Sequence, residues 1–126
     1  MKALVVSLIL LGSSSASAAE LKCSIHPAKG TADSALSSLA KVSRADSKNT
    51  ALALYQWRSA TASEGELEVE HNCLIYSFDI RLAGNAGVDE IMVDAGTGSI
   101  ISRTHETAKQ EAAEAAADKA TAGKHR

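Results

Sequence analysis

Aromatic residues are scarce in this chain, and its basic residues form no cluster. Phe, Trp and Tyr together make up 3% of the 126 residues. The 13 basic and 15 acidic side chains give a formal net charge of −2, which is too small to predict a polyanionic partner. A basic patch with interleaved aromatic side chains is the footprint of a nucleic-acid-binding surface. We therefore expect no nucleic acid partner.

The short motifs that mark common catalytic and metal centres are also absent. The chain has no Cys-x-x-Cys-His for covalent haem, no His-Glu-x-x-His for zinc and no Gly-x-Ser-x-Gly nucleophile elbow. The four histidines, His26, His71, His105 and His125, are scattered along the sequence. The sequence therefore predicts a protein that is not an enzyme, with no catalytic residue and no cofactor.

Two sets of residues have a spacing that metal sites also use. Cys23-x-x-His26 supplies two ligands, whereas a closed structural zinc site needs about four. The carboxylates at positions 64, 66, 68 and 70 alternate along one segment. Their pattern favours a solvated strand face and a blunted sheet edge over a calcium site. No metal site is predicted from either set.

No segment is apolar over enough residues to span a bilayer as a stable helix. The apolar run at residues 3–11 follows Lys2 and precedes the small residues Ala16-Ser17-Ala18. A positive start, a short apolar run and a small-residue site together are typical of a signal peptide. We predict cleavage after Ala18, with Ala19 as the second choice. The alternative, an N-terminal membrane anchor, is disfavoured by the short run and the clear cleavage site.

Export determines the expected location and the expected chemistry of the cysteines. Glu20, Leu21 and Lys22 precede Cys23 and do not form a lipobox, so we expect no stable membrane insertion after cleavage. We expect a periplasmic or secreted bacterial protein. Cys23 and Cys73 both remain, and an even cysteine count in an oxidising compartment favours a disulfide over two independent thiols. Pairing within one chain and pairing between chains are both open.

The hydrophobic pattern predicts helices followed by strands. Residues 32–41 have apolar positions at helical spacing, and Ser43-x-x-Asp46 resembles a capping box before a second helix over about 44–57. Residues 66–70, 74–82, 88–93 and 99–102 read as four strands separated by turns at 71–72, 84–87 and 94–98. We predict an α+β fold with N-terminal helices packed on a four-stranded antiparallel sheet.

The C-terminal segment has a different composition. Residues 107–122 have alanine as their only apolar type, which favours helix but buries little surface. We expect a mobile helical tail, while docking through Ala108, Ala112 and Ala115 is the alternative. The predicted organisation is a signal peptide at 1–18, a leader and helix at 19–39, a folded domain at 40–103 and an Ala/Glu/Lys-rich helical tail at 104–126.

Two segments of the folded domain resemble a known family. Tyr76 lies in the central strand, and Val93-Asp94-Ala95-Gly96-Thr97-Gly98-Ser99-Ile100 forms the next strand end and turn. Together with an upstream helix and an acidic strand, these residues make residues 40–103 similar to a PepSY domain, which is related to part of the propeptide of thermolysin-like proteases. The chain departs from that pattern at residues 57–61, in place of a glycine-rich turn, and at the longer hairpin of 84–87.

The resemblance implies a compact module of helices on an antiparallel sheet. It implies a structural role for the motif residues, with Tyr76 in the core and Asp94, Thr97 and Gly98 in a turn. It also implies a binding module that inhibits or modulates a peptidase, or binds another protein of the cell envelope. The alternatives are a small envelope protein that binds a ligand or metal without catalysis, through Cys23, His26 and the acidic strand, and a structural module whose tail mediates association.

Overall fold

The computed structural model describes residues 21–56 and 58–123. The predicted signal peptide at residues 1–18 and its cleavage site lie outside the described residues. Within the described ranges, no helix is long and apolar enough to cross a membrane. The chain folds as helices on an antiparallel sheet, which confirms the predicted α+β class.

Two short helices cover one face of the sheet. Helix α1 spans Asp33–Leu39 and helix α2 spans Arg44–Ala53. Ser43 is the N-cap of α2, and its hydroxyl accepts a hydrogen bond from the Asp46 N–H at 3.0 Å, as the capping signature predicts. Helix α2 ends earlier than predicted, because the N–H groups of Leu54 and Tyr55 bond to carbonyls three residues back and tighten the chain into a turn.

The sheet contains five strands, one more than predicted. They are β1 (Ala60–Ala62), β2 (Glu66–Glu70), β3 (Cys73–Leu82), β4 (Val88–Asp94) and β5 (Ile100–Glu106). The long strand β3 is central: β1 and β2 pair with its two ends on one side, and β4 pairs along its other side, with β5 outside β4. All of these pairs are antiparallel. Strand β5 also runs four residues beyond its predicted end at residue 102.

Strand β1 is the additional strand, and it pairs with the C-terminal end of β3. Its residues Ala60, Thr61 and Ala62 pair with Leu82, Arg81 and Ile80. A three-residue strand of small side chains has no alternating apolar pattern, so its own sequence does not mark it as a strand. It forms because the far end of β3 extends beyond β2 and offers unpaired backbone groups.

The hydrophobic core lies between the sheet and helices α1 and α2. Alternate residues of β3 point into it, as the period-two pattern predicts. Leu36 from α1 and Ala51 from α2 contribute from the helix side. The sheet contributes Leu74, Tyr76, Phe78, Ile80, Ile91 and Val93, each no more than 5% exposed. We call this side of the sheet the inner face and the opposite side the outer face.

The leader before α1 is part of the folded unit. Cys23 forms a disulfide with Cys73, so the predicted disulfide is confirmed and lies within one chain. The carbonyl of Ile25 accepts a hydrogen bond from the Leu74 N–H at 3.0 Å. These links place the leader at the start of β3, where Ile75 is fully buried although it lies on the outer face.

Helix α3 spans Ala108–Gly123 and follows β5 directly. Its acidic residues Glu114 and Asp118 lie beside residues of the outer face, so α3 and the two N-terminal helices are on opposite sides of the sheet. An ion pair between Arg81 of β3 and Glu111 of α3 links the helix to the sheet. Helix α3 thus meets the sheet through Glu111, and the alternative contact through Ala108, Ala112 and Ala115 is not formed, because all three alanines are exposed.

Candidate functional site

The most distinctive surface is an acidic groove on the outer face of the sheet. Its volume is about 770 Å³. It forms because the outward positions of β2 are all glutamate, and Asp79 of β3 is paired directly with Glu90 of β4. The carboxylates that line it are Glu64, Glu66, Glu68, Glu70, Asp79, Glu90, Glu114 and Asp118. No lysine or arginine of the described chain belongs to this lining.

The crowding of these carboxylates changes their proton affinity. Burial, followed by repulsion from Glu106 and Asp79, raises the pKa of Glu90 to about 7. Burial also raises the pKa of Glu68, and the neighbouring charges of Glu70 and Glu66 add to the increase. The groove therefore concentrates negative charge that no lining side chain neutralises, and a cation placed there would be attracted.

The groove suits an extended cationic surface better than a single metal ion. Calcium takes six to eight oxygen ligands at about 2.3–2.6 Å. In the part of the chain that the structure describes, one set of three or more His, Cys, Asp or Glu side chains brings its ligand atoms within 4.8 Å of one another. That set is Cys23, His26 and Cys73, so the groove carboxylates are spread too widely to form a comparable cage.

A second polar cluster lies on the inner face, where β4 carries an aspartate among apolar residues. The hydroxyl of Tyr55 donates to Asp89 Oδ2 at 2.6 Å, and His105 Nδ1–H donates to Asp89 Oδ1 at 2.6 Å. Arg103 Nη2 lies 3.3 Å from Asp89 Oδ2, and its guanidinium stacks 4.9 Å above the Tyr55 ring. Beside the cluster is a cavity of about 150 Å³, whose lining includes Arg58.

The pKa values of this cluster follow from its hydrogen bonds. Burial alone raises the pKa of Asp89, but the hydrogen bonds from Tyr55, His105 and Arg103 outweigh burial and hold the pKa below its ordinary value. Burial, together with the Asp89 carboxylate, raises the pKa of Tyr55 to about 12. Asp89 is thus an ionised acceptor that organises three neighbours, and this arrangement links the segment after α2 to β4 and β5.

Tyr76, Thr97 and Gly98 lie at structural positions. Tyr76 is 5% exposed, and its hydroxyl donates to the Val42 carbonyl at 2.9 Å, which ties the sheet to the segment before α2. Gly98 has φ +77°, a conformation that glycine adopts without strain, and closes the turn between β4 and β5. Thr97 Oγ1 donates to Asp94 Oδ2 at 3.1 Å.

Asp94 connects this turn to the leader. Its carboxylate accepts from the Gly96 N–H at 2.8 Å and, across 70 positions, from the Ser24 hydroxyl at 2.8 Å and the Ser24 N–H at 3.0 Å. Burial raises the pKa of Asp94, but these bonds and that from Thr97 outweigh burial and lower it overall. The sequence predicts the bonds within the turn, but it contains no signal for the bonds to Ser24.

The disulfide forms a third polar feature, at the leader end of β3. Cys73 is fully buried, Cys23 is partly exposed and His26 is exposed. His26 Nδ1 lies 3.7 Å from Cys23 Sγ. The Cys23-x-x-His26 spacing therefore does bring its two side chains together, and Cys73 joins them as a third group.

Sequence reasoning missed two parts of these sites. The inner position of Asp89 was not predicted, because both faces of β4 mix acidic and apolar residues. Glu114 and Asp118 were assigned to a solvated helix, and only the docking of α3 brings them to the groove. No family model, curated protein or solved structure matches this chain.

Proposed function

We propose that this chain is an exported, PepSY-like module that binds a peptidase of the cell envelope and inhibits or modulates it. The resemblance of the Tyr76 strand and the Asp94 turn to PepSY domains supports the family part of the proposal. The Cys23–Cys73 disulfide supports export, since disulfides persist in oxidising compartments. The observation that carries the proposal is the acidic groove, which offers a binding surface.

The groove determines the chemistry of the partner surface. Its carboxylates come from three strands, from the loop between β1 and β2 and from α3, so they cover an extended area rather than one point. Repulsion within this area is relieved when a partner brings lysine or arginine side chains close to it. We therefore expect the peptidase to present a basic patch, and we expect the carboxylates to accelerate association by electrostatic attraction.

A pull-down followed by inhibition kinetics tests this proposal. The chain beginning at Ala19 is immobilised, envelope extract of the source organism is passed over it, and retained proteins are identified by mass spectrometry. Enrichment of a peptidase whose activity changes with micromolar amounts of the chain supports the proposal. Retention of no peptidase, or a retained peptidase with unchanged activity, rejects it.

A pair of matched double variants tests the surface. Glu68→Gln with Glu90→Gln removes two groove carboxylates and is expected to reduce the association rate about ten-fold at low salt. Asp33→Asn with Asp46→Asn removes two exposed carboxylates from α1 and α2 and is expected to leave the rate unchanged. The difference between the two variants should shrink at high salt, because salt screens exposed charges. Equal rates for both variants at low salt would place the contact elsewhere.

A further inference from the structure

The leader and the start of β3 bring together three side chains that ligate metals. Cys23 and His26 come from the leader, and Cys73 comes from the sheet. Their ligand atoms all lie within 4.8 Å of one another. We propose that, when its disulfide is reduced, this chain binds one Zn²⁺ through Cys23, His26 and Cys73, so that the oxidation state of the cysteines controls metal binding. The site is independent of the acidic groove and of the proposed function.

The spacing of Cys23 and His26 fits a zinc coordination shell, whereas the sulfurs of Cys23 and Cys73 are bonded to each other and move apart only after reduction. Zinc binds cysteine sulfur at about 2.3 Å and histidine nitrogen at about 2.0–2.1 Å, so a sulfur and a nitrogen on one tetrahedral ion lie roughly 3.6 Å apart. Cys23 Sγ lies 3.7 Å from His26 Nδ1 and 3.9 Å from His26 Nε2. The distance from Cys23 Sγ to Nε2 is therefore close to that expected for two ligands of one ion.

The orientation of His26 is fixed by a partner that metal-binding histidines commonly use. His26 Nδ1 lies 3.0 Å from the backbone carbonyl oxygen of Asn72. A carbonyl oxygen can only accept, so Nδ1 carries the hydrogen and the neutral ring has its lone pair on Nε2. A hydrogen bond from the second ring nitrogen to a backbone carbonyl holds ligating histidines in the required tautomer and orientation.

The same turn positions both the histidine and the buried cysteine. His71 and Asn72, between β2 and β3, have φ +46° and +67°. Asn72 directly precedes Cys73, so the carbonyl that holds His26 is adjacent to the third ligand. A disulfide does not require an imidazole beside it. A metal site made of two thiolates and one imidazole requires all three groups, and it requires the imidazole in a fixed orientation.

Reduction converts the disulfide into metal ligands in a balanced exchange. The thiolate of an external dithiol attacks Cys23 Sγ, the partly exposed sulfur, and the buried Cys73 sulfur leaves as a thiolate. The second thiol of the reductant then attacks the reductant sulfur that is bonded to Cys23 Sγ. Cys23 leaves as a thiolate. The dithiol loses two electrons and two protons and becomes a cyclic disulfide, and the chain gains two thiols. Zinc binding displaces both thiol protons and leaves a fourth coordination position for water.

Cobalt titration of the full chain tests the site. Co²⁺ reports on cysteine ligands through a thiolate-to-metal absorption band, and added Zn²⁺ should remove that band by displacement. The chain is reduced with a non-thiol phosphine, freed of reductant and titrated without oxygen beside an oxidised sample. We expect one Co²⁺ per reduced chain and no thiolate band in the oxidised chain. Equal binding by both samples, or no band in the reduced chain, overturns the proposal.

Variants separate the assembled site from two free thiols. His26→Ala is expected to weaken Zn²⁺ binding by the reduced chain at least ten-fold. His105→Gln, which removes an exposed histidine at the opposite end of the sheet and outside the set, is expected to leave Zn²⁺ binding unchanged. Unchanged affinity in His26→Ala overturns the proposal.

Circular dichroism shows whether binding occurs in the folded chain. If reduction alone unfolds the chain, recovery of the sheet on adding Zn²⁺ to the unmodified chain, but not to Cys23→Ser with Cys73→Ser, supports the site. A reduced chain that remains unfolded with Zn²⁺ overturns it. A reduced chain that keeps its sheet without metal is judged by the titrations alone.

Discussion

The hydroxyl of Tyr55 donates a hydrogen bond of 2.6 Å to Asp89 Oδ2, and this bond joins the segment after α2 to strand β4. Tyr55 is 4% exposed, so water cannot readily replace the bond. We expect Tyr55→Phe to lower the free energy of unfolding by about 1–2 kcal/mol, because it removes a hydrogen bond to a charged group while keeping the ring. Urea denaturation at pH 7 measures this change.

The free energy of unfolding at alkaline pH provides the control for Tyr55→Phe. The pKa of Tyr55 is raised from 10.0 to about 12, so the folded state holds this proton more tightly than the unfolded state. The corresponding stability is fully present below pH 10 and is lost as the pH rises toward 12. The variant should lack this contribution, so the two curves should converge over that range. If the two curves stay parallel, the pKa of Tyr55 is the same in the folded and the unfolded state.

The sequence predicts the central strands well because each has a period of two. Strand β2 matches its predicted bounds, since charged and apolar residues alternate along it. The Cys23–Cys73 bond is also predicted, from cysteine number and expected export. Strand β1 is not, because a three-residue segment with two alanines acquires strand geometry only by pairing with β3.

The candidate sites are harder to predict because they depend on long-range contacts. Asp89 meets Tyr55 and His105 across 34 and 16 positions, and Ser24 meets Asp94 across 70 positions. A local pattern contains no information on such pairs. The outward glutamates of β2 are readable as an acidic face, but the groove also needs α3 to dock, and the composition of α3 only indicates a helix.

Asp94→Asn tests the connection between the leader and the β4–β5 turn. Each carboxylate oxygen of Asp94 accepts two hydrogen bonds, one of them from Ser24. An amide nitrogen in place of one oxygen cannot accept, so the backbone N–H bonded there loses its partner, and the remaining bonds lose the strength that the carboxylate charge gives them. We expect a loss of about 2–3 kcal/mol in chemical denaturation.

Two further measurements check this account of Asp94. Thr97→Val removes one of the four bonds to Asp94 and also the bond that Thr97 Oγ1 accepts from the Ser99 N–H, and it leaves the Asp94 charge in place, so we expect a smaller loss of about 1–2 kcal/mol. Because the folded-state pKa of Asp94 is depressed below 3.8, its contribution is present above that pH and is lost as the pH falls through the folded-state pKa. Asp94→Asn should therefore approach the unmodified chain in stability under acid. A constant difference down to low pH would contradict this role.

Gly65 and Gly84 form a matched pair of glycines with positive φ, +86° and +80°. A Cβ at Gly65 would overlap the buried Phe78 ring, whereas a Cβ at Gly84 meets nothing within 4 Å. Gly84→Ala should therefore cost only the backbone strain, about 1 kcal/mol. Gly65→Ala adds overpacking of the core and should cost about 2–4 kcal/mol. Thermal denaturation of both variants checks the difference, and equal losses would show that Phe78 moves aside freely.

The disulfide is expected to make a large contribution to stability. Cys23 and Cys73 are 50 positions apart, and closing a loop of this length restricts the unfolded chain by about 4 kcal/mol as an upper bound. Urea denaturation in metal-free buffer, with and without reductant, should show a loss of about 2–4 kcal/mol on reduction. The double variant Cys23→Ser with Cys73→Ser should start from the lower value and be insensitive to reductant. A midpoint that reductant does not change would show that the leader contributes little to the folded state.

Glu90 should make the chain less stable as the pH rises. Its pKa is raised from 4.5 to about 7 by burial and by Glu106, Asp79, Glu68 and Glu70, in that order. The folded state therefore binds this proton more tightly than the unfolded state, and the associated stability is present below pH 4.5 and lost as the pH rises through 7. Glu90→Gln should match the unmodified chain near pH 4 and exceed it by about 1 kcal/mol at pH 8, after allowance for solvent screening.

Glu64→Gln is the matched control for Glu90, because Glu64 lines the same groove but its side chain is 94% exposed and lies 3.7 Å from Lys48. It should change stability by less than about 0.5 kcal/mol at either pH. If Glu90→Gln is no more stable than the unmodified chain at pH 8, then the groove carboxylates do not repel one another strongly enough to favour a cationic partner. A gain at pH 8 that disappears near pH 4 instead measures the combined cost of burying the Glu90 carboxylate and of its repulsion by neighbouring carboxylates, and a basic surface would offset that cost on binding.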